Sequence, residues 1–133
     1  MLEATTRTAS IRYDGKVLTT ELFDDVVIEI EDAKENYRMV MDIIRERKFV
    51  SLVITSPHNS ITREARESAN TAENYKYCIA QAIVVKSLAT RVLGNFFVRF
   101  AKQHCPHRLF QSREDALEWL NVHWDAAMKT NAA

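Results

Sequence analysis

Glycine is scarce: Gly15 and Gly94 are the only two in 133 residues. A phosphate-cradling loop of the Walker or Rossmann type needs several, because backbone amides must reach the anion with no side chain in the way. Such a loop is therefore excluded. Cysteine is equally sparse, at Cys78 and Cys105. So wide a spacing predicts buried free thiols in a reducing compartment, with a bridge between the two left open. No run approaches the ~20 apolar residues of a membrane helix. The first ten residues are polar and lack the apolar core of a signal peptide, so a cytoplasmic location is expected. Acid is missing from one whole region. Between Lys76 and Arg113 lie seven basic residues and no Asp or Glu, with His104 and His107 in the same stretch. The compensating acids, Asp24, Asp25, Glu29, Glu31, Asp32 and Glu35, cluster near the N-terminus, and the net charge is zero. Such a bipolar surface suits self-association or a charged partner. The plainer reading is a solvated surface with no role.

What is present fits one soluble domain: 47% apolar and 27% charged residues. Residues 1–9 are expected to be a disordered tail, 10–128 the domain and 129–133 a frayed end. Residues 10–13 and 16–22 predict two strands. Asp14-Gly15 between them predicts a tight turn with positive φ at both positions. Residues 23–28 are ambiguous between strand and loop. A helix is predicted from 29 or 30 to about 47, burying Ala33, Tyr37, Val40, Met41 and Ile44, with acids in its first turn and bases in its last. Residues 49–55 and 80–85 predict central strands with Val53 and Val84 buried. Thr62 is expected to cap a helix to about residue 70, and residues 71–78 are weakly helical. A further helix is predicted over 88–103, ended by Pro106. A short strand at 108–110 and a helix capped by Ser112 follow. The predicted order is β-β-α-β-α-β-α-β-α.

The helix predicted at 88–103 has an unusually wide apolar arc. Leu88, Ala89, Val92, Leu93, Phe96, Phe97 and Phe100 span about half its circumference. Arg91, Asn95, Arg99 and Lys102 gather on an adjacent arc about 80° wide. Either the helix is simply deeply packed, or Arg91, Asn95, Phe97, Arg99 and Lys102 mark an interaction surface, with a homodimer as one form of it. The alternative to the dimer is a monomer whose helix is covered by its own residues 119–128. Neutral overall charge and core-facing aromatics argue against nucleic acid.

Candidate chemistry is thin. His104-Cys105-x-His107 places three ligand types close together, but without the four-ligand spacing of structural zinc. His58 lies two residues from Ser60, yet no G-x-S-x-G elbow accompanies it. Neither Ser60 nor Cys105 carries the signature of a catalytic nucleophile. No catalytic residue, cofactor or metal is predicted, and no enzymatic activity is expected.

Several segments carry a resemblance when taken in order: Tyr13-Asp14-Gly15, Glu31-Asp32-Ala33, the run from Ser60 to Arg66, the run from Arg91 to Phe97, the run from Pro106 to Phe110, and the run from Ala116 to Leu120. Together they resemble the STAS-like, anti-sigma-factor-antagonist-like (SpoIIAA-like) small bacterial proteins, often labelled STAS/SEC14-domain proteins. The resemblance implies an α/β single domain with a mixed four- to five-stranded sheet and helices mainly on one side. It also implies a regulatory or protein-interaction role with an unidentified protein partner. The alternative it offers is a small-molecule or lipid-binding module using an apolar pocket. Better-known members carry a phosphorylatable serine in a motif close to Asp-Ser-Ser-Gly. Here the equivalent stretch reads Thr62-Arg63-Glu64-Ala65, with Ser60 just before it. The region of Ser60, Thr62, Arg63 and Glu64 is thus the switch site by position without its motif, and no phosphorylation is expected there.

Overall fold

In a computed structural model that describes residues 2–86 and 103–132, the chain forms a six-stranded mixed sheet flanked by helices. The strands are β1 (Leu2–Thr5), β2 (Ala9–Tyr13), β3 (Val17–Leu22), β4 (Val27–Ile28), β5 (Phe49–Ile54), β6 (Ser60–Ile61), β7 (Cys78–Val84) and β8 (His107–Phe110). The helices among the described residues are α1 (Ile30–Ile44), α2 (Arg63–Ala69) and α3 (Arg113–Ala132). The large sheet has the order β1-β2-β3-β5-β7-β8, antiparallel from β1 to β3 and parallel from β3 to β8. A separate two-stranded parallel ladder joins β4 to β6. The α/β class and the central place of β5 and β7 are as the sequence predicts. The predicted helix at 88–103 lies outside the described residues. No helix among the described residues is long and apolar enough to cross a membrane.

Strand alternation sorts side chains onto two faces. One face buries Ala9, Ile11, Tyr13, Leu18 and Phe49 against Ile43 and Ile44 of α1. The opposite face buries Val50, Leu52, Ala80, Ala82 and Val84 against Ala116 and Leu120 of α3. A register shift between β5 and β7, where Phe49 faces Cys78 but Ser51 faces Gln81, keeps both strands in phase with these faces.

Several expectations are corrected. The sheet has six strands because residues 2–5 are ordered as an edge strand on β2, in register from Leu2↔Tyr13 to Thr5↔Ser10. This strand is only four residues long and gives little local signal, but its tight return is pinned. Arg7 holds Asp32 of α1 through two bonds, one of them 2.9 Å from Nε, and donates to the Val27 carbonyl at 2.8 Å. Thr6 and Thr8 bond both ends of the Asn36 side chain, at 2.7 and 3.1 Å. At the other end α3 continues to Ala132, so the frayed tail expected from 129 is helical almost throughout. Among the described residues α1 and α2 lie on one face of the sheet and α3 on the other.

The Asp14-Gly15 turn forms, but only Gly15 has positive φ (96°); Asp14 instead accepts from the amides of Lys16 and Val17 at 2.9 and 2.7 Å. Helix α1 stops at Ile44 because Arg45 and Glu46 enter the left-handed region. No base sits in its last turn; Arg47 folds back from outside and donates to the Ile43 and Ile44 carbonyls at 3.0 and 2.8 Å. Val84 is buried, whereas Val53 is only half-buried because it faces a cavity. Residues 71–77 form turns rather than a helix.

Candidate functional site

Parallel strands end together, and the loops that leave their carboxyl ends are where side chains can converge. After β3 the chain turns at Asp24 and Asp25, the latter with φ 57°. After β5 it runs through Ser56, Pro57 and His58 into β6. The β4–β6 ladder sets the two loops side by side. The Ser60 amide donates to the Val26 carbonyl at 3.1 Å and the Thr62 amide to that of Ile28 at 3.0 Å. Across this junction Asp24 accepts from the Ser56 hydroxyl and contacts His58 Nδ1 at 3.2 Å. The Ser56 bond, seconded by His58, holds the Asp24 carboxyl below its ordinary range.

The switch-equivalent residues all lie at this end. Thr62 is the N-cap of α2, its hydroxyl accepting from the Ala65 amide at 3.1 Å. Ser60 and Glu64 are exposed, and Arg63 pairs with Glu67 one turn on at 2.9 Å. Beside them stand large apolar side chains in solvent: Phe23, Val27 and Ile61 are 37%, 49% and 40% exposed. His58 is turned to Asp24 and not to Ser60, so no nucleophile–base–orienter chain forms here. Asp24, Asp25 and His58 bring their donor atoms within 4.8 Å of one another, all three exposed. This is the one such cluster among the described residues. The predicted surface of Arg91, Asn95, Phe97, Arg99 and Lys102 lies outside the described residues.

Behind Ile61 a cavity of about 230 Å³ runs between the sheet and helices α1 and α2. Leu18, Tyr37, Val40, Phe49 and Val53 make its walls largely apolar. Its polar floor is a short chain of bonds. Ser51 donates to the Gln81 carbonyl oxygen at 3.0 Å, and the Gln81 amide nitrogen reaches Tyr75 Oη at 3.5 Å. Burial pushes the Tyr75 hydroxyl up to about 12, so it stays protonated.

The cavity ends at a group that the sequence reading did not assemble. Cys78 opens β7 and Cys105 precedes β8; strand pairing brings their sulfurs to 3.8 Å as free thiols. His107 Nδ1 lies 3.8 Å from the Cys105 sulfur and 2.7 Å from its carbonyl oxygen. Tyr75 stacks on His104 at 6.1 Å and meets His107 edge-on at 5.1 Å. The hydrogen bond with Cys78 lowers the Cys105 thiol to about 6 against the cost of burial, with His107 adding to the effect. Cys78 is raised by the same bond and by burial. Burial opposes the charge on His107, but its bonds to Cys105 outweigh that and raise it. The residues were visible as His104-Cys105-x-His107. Missing from the linear text was the pairing of β7 with β8, which supplies Cys78 from 27 positions away.

Residues 10–123 match a family model described as a domain of unknown function, DUF7793. No curated protein matches. Among solved structures the chain is similar to the crystal structure of an uncharacterised protein from the DUF3478 family, with a SpoIIAA-like fold, from Shewanella loihica PV-4. The TM-score is 0.57 at 16% identity, covering 90% of this chain and 99% of that one. The SpoIIAA-like fold implied by the sequence resemblance is thereby shown.

Proposed function

We propose that this chain, which belongs to the DUF7793 family, is a non-enzymatic regulatory domain that binds a protein partner through the carboxyl ends of β3 and β5. The carrying observation is the exposure of Phe23, Val27 and Ile61 at one end, bordered by Asp24, Asp25 and Glu64. Apolar groups left in water at a charged rim are the usual composition of a contact surface. The partner this favours has an apolar centre ringed by bases. A reducing, cytoplasmic setting goes with the reading. Regulation by phosphate is not part of it: Thr62 is already spent on its cap, and Glu64 supplies the negative charge that a phosphate would add.

Capture of partners from the native host by the wild type, compared with Phe23→Glu and Val27→Glu, tests this. The reading expects one partner lost from both variants while their melting temperatures stay unchanged. A partner set indifferent to both substitutions would sink it.

The cavity favours a second reading, a small-ligand module. Its apolar walls around Ser51, Gln81 and Tyr75 have the form of a binding site, and its volume would take only a small molecule. Raised melting temperature with a compact apolar hydroxyl compound, abolished by Gln81→Leu, is the expected result. A homodimer through residues 88–102 is a separate proposal, checked by light scattering: a mass near 15 kDa at all concentrations excludes it.

A further inference from the structure

We propose that Cys105 and Cys78 form a hydroperoxide-reactive thiol pair, in which Cys105 takes the oxygen and Cys78 resolves it to a disulfide. The inference is independent of the function proposed above. It rests first on placement. Both sulfurs lie at the amino ends of neighbouring parallel strands, 3.8 Å apart, and a disulfide requires neighbouring backbones of this sort. The two cysteines are not equivalent. Cys78 is 7% exposed and its thiol points to the Ala80 carbonyl at 3.4 Å. Cys105 is only half-buried, in the bend before β8, with His107 beside it. A half-accessible thiol next to an imidazole is the nucleophile, and a buried thiol in contact with it is the resolving partner.

The chemistry balances with a small hydroperoxide as oxidant. The Cys105 thiolate attacks the terminal peroxide oxygen, and the O–O bond breaks. The departing alkoxide takes a proton from the His107 imidazolium and leaves as alcohol, while Cys105 becomes a sulfenic acid. The Cys78 sulfur then attacks the Cys105 sulfur. The S–O bond breaks, the hydroxyl leaves with the Cys78 proton as water, and the disulfide forms. The peroxide is reduced by two electrons and the two thiols supply them. The bridge would tie the start of β7 to the bend before β8 and alter the end of the cavity that Cys78 lines.

The titratable groups around Cys105 among the described residues are Cys78, His104, His107 and Tyr75. With the thiol held near 6, roughly a quarter is thiolate at about pH 5.5, against about a thousandth for an ordinary cysteine. The lower intrinsic nucleophilicity of an acidic thiolate cancels just over tenfold of that gain, leaving roughly twentyfold.

The test exposes the reduced full chain to hydrogen peroxide and maps the products by mass. The wild type is expected to lose two hydrogens and yield a Cys78–Cys105 peptide that a thiol reductant reverses. Cys78→Ser is expected to stop at a sulfenic acid on Cys105, trapped by a cyclic dione. Cys105→Ser should leave Cys78 a thiol. Iodoacetamide should label Cys105 in the wild type roughly twentyfold faster than an ordinary cysteine in a short peptide at about pH 5.5, and His107→Gln should lose only part of that advantage because the Cys78 bond remains. Should His107→Gln not fold, the wild-type profile alone decides: labelling that rises through about pH 6 supports the proposal, and one that rises only near 8–9 overturns it. A folded wild type that forms no internal disulfide, or Cys78 oxidised as fast without Cys105, overturns it as well.

Discussion

Under α3, Leu52, Ala80, Ala82, Val84, Ala116 and Leu120 are each at most 2% exposed; under α1, by contrast, Ala33, Tyr37, Val40 and Met41 all keep part of their surface open. The chemistry of the facing strands explains the difference. Alanines at 80, 82 and 116 let α3 approach the sheet until Leu120 fills the remaining space, giving the close packing of an interior. On the other face β3, β5 and β7 present Thr20, Ser51 and Gln81, which need polar partners and cannot be covered by a plain apolar stripe. Ser51 and Gln81 are satisfied by each other and by Tyr75, and the helices stand off around a cavity. The face under α3 carries stability around Leu120, and its own pocket of about 310 Å³ is displaced to the edge beside Arg12, Arg113 and Leu117. The open face carries the cavity, the thiol pair and the loop junction.

The largest expected effect separates these faces directly. Leu120→Ala should cost about 2–5 kcal/mol, because a buried leucine is removed where nothing can collapse into the gap. Val40→Ala, on the face that is already open, should cost less than about 1.5 kcal/mol. Denaturant melts of the two variants measure the contrast, and equal losses would break it.

The next effect concerns what anchors the open face. Asp32→Ala removes the acceptor for Arg7 and for the Glu29 amide at 2.9 Å. The Arg7 bond holds the Asp32 carboxyl below its ordinary range. A depressed carboxyl contributes stability above its unfolded value of about 4, and that contribution is lost as pH falls through the folded value. The wild-type advantage in melting temperature should therefore be full at neutral pH and shrink as pH drops below about 4. An advantage constant with pH would assign it to packing rather than to charge.

The smallest effect sharpens the picture at the loop junction. Thr62→Ala should destabilise by about 1 kcal/mol through the lost cap of α2, whereas Ser60→Ala, two residues away and exposed, should be nearly neutral. Paired thermal melts measure this. A neutral Thr62→Ala would free its hydroxyl for another role.

Legibility in the sequence followed the range of the forces involved. The Asp14-Gly15 turn, the Thr62 and Ser112 caps and the two central strands, predicted at 49–55 and 80–85 and observed at Phe49–Ile54 and Cys78–Val84, were readable because their determinants lie within a few residues. The first strand was not, since Leu2–Thr5 is only four residues long and is ordered by pairing with β2 and by the Arg7–Asp32 contact 25 positions on. The end of α1 was misplaced for a related reason: Arg47 looked like a last-turn base but reaches back after the chain has already turned. The phosphoserine motif's absence was plain from Thr62-Arg63-Glu64-Ala65, while its neighbours Asp24 and His58 became so only through the β4–β6 ladder.

Composition and local pattern thus determined the α/β class, the central strands and the lack of a phosphate loop, because hydrophobic period, turn chemistry and glycine content act along the chain. Which face of the sheet closes, where the apolar residues Phe23, Val27 and Ile61 meet the charged loops, and that Cys78 touches Cys105 were decided by the tertiary structure alone. Those contacts join residues tens of positions apart, and only the parallel order β3-β5-β7-β8 together with the β4–β6 ladder brings them within reach of one another.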